Sequence, residues 1–140
     1  MSLVMTAQER EEFLAGVHIC VVAVNREGRA PLAVPIWYDY TPGGEVLLWI
    51  DRGSVKETVI RAAGRISICA QVEEAPYRYA TVEGPVTMDG APTAEQALAI
   101  AGRYLPAEAA AGYVKEKLGE SSLLVRMHPE KWLSTDYSKA

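Results

Sequence analysis

At 140 residues, with 49% apolar and 23% charged side chains and a net charge of −4, the chain fits one globular domain with a substantial core. No basic run occurs and the balance is acidic, which argues against a general nucleic-acid binder. Apolar runs stop at about five residues, far short of the roughly 20 a membrane helix needs, and no charged-then-apolar leader opens the chain, so a cytoplasmic protein with no membrane partner is expected.

Thr6-Ala7-Gln8-Glu9 has the pattern of a capping box, and Phe13 and Leu14 give the short helix after it apolar positions that end at Gly16. Val17 to Val24 is rich in β-branched residues and predicts a buried strand. Asn25-Arg26-Glu27-Gly28 predicts a hairpin turn, and Ala30 to Tyr40 the return strand. Pro31 and Pro35 interrupt that strand. A proline has no N–H for a ladder, so Pro35 marks an edge, a bulge or a strand end. Pro42-Gly43-Gly44 then turns the chain into a third strand, Glu45 to Ile50.

Trp49 to Thr58 has the form of a strand handing over to a helix. The apolar run stops at Asp51, Gly53 follows, and Ser54 restarts a polar segment. Ser54 is the expected cap, and Glu57, three residues on, has the spacing of a capping box. Helix N-termini carry unpaired N–H groups and attract anions. Lys56 places a cation in the first turn, where helices favour acids. That is mildly unfavourable for the helix alone and makes sense with a phosphate on that end. A solvated lysine after an ordinary cap is the alternative.

Gly64 stops this helix near Ala63, and Arg65 to Val72 predicts a fourth strand. Tyr77 to Glu83 alternates as a fifth, kinked by Gly84-Pro85 before Val86 to Met88. Thr93 caps a helix that runs to about Tyr104, Pro106 breaks it, and Ala107 to Leu118 is a second, alanine-rich helix. Ser121 to Met127 is the last strand, and Lys131 to Tyr137 an extended tail. The sum is a single domain over residues 1–140, mainly β with α (an α+β protein). It has about six antiparallel strands, as a sheet or barrel, with peripheral helices.

Cys20 and Cys69 both sit in strand-like apolar runs and read as buried thiols; a disulfide requires their strands to pair closely. His18 and His128 lack the spacing of a zinc site, so no metal is expected. No Gly-x-Ser-x-Gly elbow is present, and Asp39, Asp51, Glu57 and Glu83 stand singly rather than as an acid–base pair. The aromatic set is more informative. Trp and Tyr combine flat apolar area with a polar handle, and Trp37 and Trp49, on neighbouring strands, are the pair expected to line a pocket.

The ordered set Pro35-Ile36-Trp37-Tyr38, Gly53-Ser54-Val55-Lys56, Tyr79 to Pro85 and Pro129 to Lys139 resembles the pyridoxamine 5′-phosphate oxidase-like flavoproteins. That split β-barrel superfamily also holds the flavin/deazaflavin oxidoreductases. The resemblance spans about Leu14 to Lys139. It implies a homodimer with FMN, or alternatively coenzyme F-420, at the subunit interface. It places the cofactor phosphate near the Gly-Ser-x-Lys turn, with Ser54, Val55 and Lys56 at the cofactor and Ser54 and Lys56 on the phosphate. It lays Pro35, Ile36 and Trp37 along the ring, with Trp49 and Ile50 as further ring contacts. It adds Tyr79 and, from the tail, Trp132. The chain departs from the biosynthetic oxidase: Val55 stands where that enzyme has an Arg beside the Lys, Leu32 where it has another, and its Arg- and His-rich C-terminal motif is missing. The implied function is an FMN-binding oxidoreductase moving a hydride to or from a small organic substrate. The alternatives are a coenzyme F-420-dependent reductase of the same fold and a non-catalytic flavin or haem carrier.

Overall fold

The computed structural model describes residues 2–140. Among these residues lie four α-helices and eight strands: α1 (Ala7–Ala15), β1 (Cys20–Arg26), β2 (Arg29–Ile36), β3 (Asp39–Tyr40), β4 (Val46–Asp51), α2 (Val55–Ala63), β5 (Arg65–Val72), β6 (Arg78–Thr87), α3 (Ala94–Ala101), α4 (Ala107–Lys117), β7 (Ser122–Met127) and β8 (Lys131–Asp136). Local signals explain the helix starts. Thr6 and Thr93 each accept from the backbone N–H three residues on, and Glu9 and Gln96 return the bond, so both capping boxes are complete.

The strands form one antiparallel sheet in the order β2-β1-β5-β6-β7-β4-β3, with β8 pairing with β6 off that path. The path begins at β2 and ends at β3, so the expected barrel is an open, bent sheet, and it has eight strands rather than about six. Two differences account for the count. Tyr40 belongs to a separate short strand, β3, rather than to the end of β2. The expected tail is a full strand whose Trp132 lies opposite Val82 and Leu133 opposite Thr81. Pro31 and Pro35 sit in β2, at the end of the path, where a missing N–H costs no ladder bond on the open side.

The bend is made by β6. Its residues from Arg78 to Pro85 pair with β5, while Val86 and Thr87 pair with β7. Gly84 sits at the hand-over. A Cβ there would lie 1.7 Å from the His128 carbonyl oxygen, so only glycine lets the chain after β7 cross so close.

Register settles which face each side chain takes, since successive strand residues alternate. Val34, Val22, Ile68, Val82 and Trp132 form one row across five strands and point into the core. The adjacent row, Pro35, Val21, Cys69, Thr81 and Leu133, points outward. Cys20 lies opposite Ala70 while Val21 lies opposite Cys69, so the two thiols belong to opposite faces and both are free. Burial pushes the Cys20 thiol up to about 12.

Helix α2 presents Ile60, fully buried, with Val59 and Ala63 to the core. The other side of β4 and β7 carries a second, smaller apolar layer. There Leu124 lies opposite Trp49, and Ala97, Ile100 and Ala101 of α3 and Ala110 of α4 are buried outside the main core cluster. Burial on both sides explains why Ser122 to Val125 is buried without alternation. Among the described residues no helix is long and apolar enough to cross a membrane.

Candidate functional site

The hand-over from β4 to α2 is built by three polar contacts. Gly53 has φ +77° with nothing within 4 Å of a notional Cβ, so backbone conformation rather than crowding selects glycine. The Ser54 hydroxyl donates to the Asp51 carbonyl at 2.6 Å and accepts from the Glu57 N–H at 3.2 Å. The reciprocal half of the expected capping box falls one residue earlier: Glu57 accepts from the Gly53 N–H at 2.7 Å, not from Ser54. That N–H, then the Arg61 side chain at 2.8 Å, hold the Glu57 carboxyl below its ordinary range.

Beside this turn lies a cleft of ≈ 430 Å³, within the size range of small-molecule sites. One wall is the end of β2 and the segment after it, Pro35, Ile36 and Trp37. The second is Trp49, Ile50 and Asp51 of β4 with Ser54 and Lys56. The third comes from the helical pair: Ile100 of α3, and Tyr113 and Lys117 of α4.

The aromatic wall is interlocked. Trp37 stacks on Tyr104 with centroids 4.9 Å apart and planes 11° from parallel. Tyr113 lies 5.4 Å from Trp37, tilted by 47°, and also meets Trp49 edge-on at 5.7 Å. The Tyr104 hydroxyl donates to the His18 carbonyl at 2.7 Å and accepts from the Tyr38 N–H at 3.1 Å. Arg103 donates to the Ala15 and Gly16 carbonyls at 3.0 and 2.6 Å. These bonds tie the α3–α4 connection to the end of α1 and fix Trp37 against it.

Seven positions singled out from sequence, Pro35, Ile36, Trp37, Trp49, Ile50, Ser54 and Lys56, therefore meet in one cleft. Three do not. Val55 is 63% exposed and lies outside the lining. Tyr79 is half-buried on the outer sheet face, opposite Gln71 and Thr135. Trp132 faces the core, with Arg10 over its ring at 4.9 Å and Tyr40 edge-on at 6.2 Å. Sequence reasoning missed Ile100, Tyr113 and Lys117. Tyr113 and Lys117 are spaced i, i+4 on an alanine-rich helix, and so share a face.

The cleft holds one carboxylate, Asp51, against two ammonium groups, Lys56 and Lys117. Among the described residues, ion pairs join Arg61–Glu57, Arg65–Glu83, Arg65–Glu130, Arg103–Asp39 and Lys139–Glu9, and none uses either lysine. Elsewhere, Arg61 is paired with Glu57 and Arg78 lies over the Phe13 ring at 5.1 Å. His18 is engaged by the Phe13 carbonyl at 3.0 Å and stacked on the Phe13 ring. No three His, Cys, Asp or Glu side chains among the described residues converge as a metal site would require.

The chain is thus an α+β protein with an open, bent antiparallel sheet and an aromatic, cation-bearing cleft at a strand-to-helix turn. No family model and no curated protein matches the sequence. Solved structures do. A conserved hypothetical protein of Mycobacterium tuberculosis superposes with a TM-score of 0.83 at 19% identity, over 99% of this chain and 89% of that one. An F-420 reductase gives 0.68 at 19% identity, over 88% and 94%. A FAD-binding protein of Mesorhizobium loti gives 0.65 at 18%, over 94% of each chain. The chain thus shares its fold with an F-420 reductase, a pyridoxamine 5′-phosphate oxidase-like protein and a FAD-binding protein, the fold that the sequence motifs implied.

Proposed function

We propose that the cleft binds the ring and phosphate of FMN, and that the protein is an oxidoreductase acting on a small organic substrate. The observation that carries this reading is the meeting of Trp37, Trp49, Ser54 and Lys56 in one cleft of suitable volume. When bound, the flavin supplies the hydride chemistry itself. The chain's residues hold and shield it. Lys56 gives a positive charge, and the first turn of α2 gives the Val55 and Lys56 backbone N–H groups for the phosphate. Pro35, Ile36, Trp37 and Trp49 give an apolar wall that excludes water from the ring. A residue set without an acid–base pair suits such chemistry, because the residues have only to bind and orient.

Two features support coenzyme F-420 as a second reading. One is the second lysine in the cleft, suited to a more anionic cofactor. The other is the likeness to an F-420 reductase.

A homodimer belongs to the same proposal. The outward row of Pro35, Val21, Cys69, Thr81 and Leu133 crosses five strands, and Leu133 is 63% and Val21 42% exposed. Pro35 belongs both to this face and to the cleft, so a second copy seated there would border the site. Sedimentation at micromolar concentration is expected to give a dimer, and a monomer overturns this part.

The cofactor reading is tested by titrating purified protein with FMN, riboflavin and coenzyme F-420, followed by flavin or deazaflavin absorbance. Micromolar binding is expected. Lys56→Ala should weaken the phosphate-bearing cofactor by about 1.5–3 kcal/mol, the scale of a hydrogen bond to a charged group, and leave riboflavin unchanged. Binding weaker than millimolar for all of them overturns the reading. Tight binding without turnover of any substrate overturns the oxidoreductase assignment and leaves a carrier.

A further inference from the structure

We propose that Lys117, in the last turn of α4, is the second cation of the phosphate grip, closing on the ligand from the helical wall of the cleft. The assignment rests on the cofactor reading above and names a residue that neither the sequence motifs nor the fold points to.

The first ground is charge. A phosphate monoester is close to a dianion at neutral pH. The turn at the start of α2 offers it one lysine, because position 55 is a valine whose side chain is 63% exposed and outside the cleft. The cleft nonetheless carries two ammonium groups and one carboxylate, a positive site in a chain of net charge −4. Neither lysine belongs to an ion pair among the described residues. Lys117 is the last residue of α4, and the positions three and four before it are Val114 and Tyr113, so the helix itself gives Lys117 no carboxylate one turn away.

The second ground is aim. Tyr113 is fixed against Trp37 and Trp49 at 5.4 and 5.7 Å. A residue four positions on lies above it on the same helix face. Both lysines are exposed, but Lys117 lines the cleft with Tyr113 and Lys115 does not. A basic residue in a last helical turn also has a purely structural use, since it complements the helix dipole. Lys115 serves that use equally well, and such a role does not distinguish a phosphorylated ligand from an unphosphorylated one.

That distinction is the test. FMN and riboflavin are titrated by fluorescence quenching into the wild type, Lys117→Gln, Lys117→Arg and Lys115→Gln, with Lys56→Ala alongside. Coenzyme F-420 and its phosphate-free deazaflavin form a second arm. The expected result is that Lys117→Gln weakens the phosphate-bearing ligand about tenfold or more and changes its phosphate-free partner less than about twofold, while Lys117→Arg and Lys115→Gln keep the wild-type preference. If Lys117→Gln leaves the FMN-to-riboflavin preference intact while Lys56→Ala abolishes it, Lys56 grips alone and the assignment is wrong, though the cofactor reading stands. An equal loss for both ligands assigns Lys117 to the stability of α4 and also overturns it. A wild type that binds none of the four ligands overturns the cofactor reading and the assignment together.

Discussion

Replacing Tyr104 by Phe removes one oxygen from the site's framework and tests whether the aromatic wall is held by that hydroxyl. The ring stays, so the stack on Trp37 at 4.9 Å is retained. What is lost is a bond to the His18 carbonyl at 2.7 Å and one from the Tyr38 N–H at 3.1 Å. Tyr38 is wholly buried, so its N–H has no replacement partner at hand, and an orphaned buried group costs about 1–3 kcal/mol. Tyr104 is only half-buried, so water reaches the His18 carbonyl more readily and the second loss is smaller. Together they give about 2–3 kcal/mol. For a domain of this size a loss of 1 kcal/mol lowers Tm by about 3 °C, so a fall of about 6–9 °C is expected. Calorimetry reads the shift, and urea titration checks that the m-value is unchanged, which separates a native-state effect from a change in the denatured chain. A loss under about 0.5 kcal/mol, the level of an ordinary surface substitution, would show that the hydroxyl is not what fixes the α3–α4 connection.

Gly84→Ala is expected to cost about 3 kcal/mol or more and to depress soluble yield. Its Cβ would overlap a backbone carbonyl, and the crossing is pinned by Glu130 N–H to Glu83 at 2.8 Å and His128 N–H to Pro85 at 2.9 Å; near-wild-type urea midpoints would contradict the close approach. Burial, with the Arg103 and Arg78 charges adding to it, holds the His18 imidazole below its ordinary value of 6.5, against the bond to Phe13. Below pH 6.5 the unfolded chain therefore binds a proton that the folded chain resists, and stability should fall as pH drops from about 6.5 towards the folded value. His18→Gln should flatten urea midpoints across that window, which lies above the region where Glu9 and Glu57 act, both lowered from 4.5; an unchanged slope between pH 7 and 5 would rule His18 out as its source.

The parts of the molecule that were legible in the sequence are those set by near neighbours. Thr6, Ser54 and Thr93 were read as helix caps from spacing alone, and each accepts the expected backbone bond. Pro35 was read as an edge, bulge or strand end, and lies in an edge strand. What failed depends on long-range pairing. Lys131 to Asp136 carries Ser, Thr and Asp and follows a proline, so composition describes a tail; only its ladder with β6 makes it a strand. Trp132 is the sharpest case. Its place in the row of Val22, Ile68 and Val82 turns it into the core, and a register one residue different would have turned it outward. The same logic divides the site. Trp49 to Lys56 is one continuous stretch, so its convergence is nearly local, whereas Tyr113 and Lys117 reach the cleft only through tertiary packing that sets Tyr113 edge-on to Trp49.

The cleft also has a physical reason to exist at this place. On the outer side of β4 and β7 the covering residues from the helical pair are mostly small: Ala97 and Ala101 from α3, Ala110 from α4. Small side chains let helices approach closely and would seal the layer. The same region holds four large rings, Trp37, Trp49, Tyr104 and Tyr113, in contact with one another at 4.9–5.7 Å. Four rings packed as a group cannot collapse into the gap that alanines leave, so the helical pair seals at its alanine end and stands off at its aromatic end. The stand-off is bordered by the capped start of α2, which an uninterrupted helix or strand would have covered. Fold and site are therefore one arrangement: the alanines that anchor α3 and α4 and the aromatics that hold them off together leave an open volume whose two cations come from different elements.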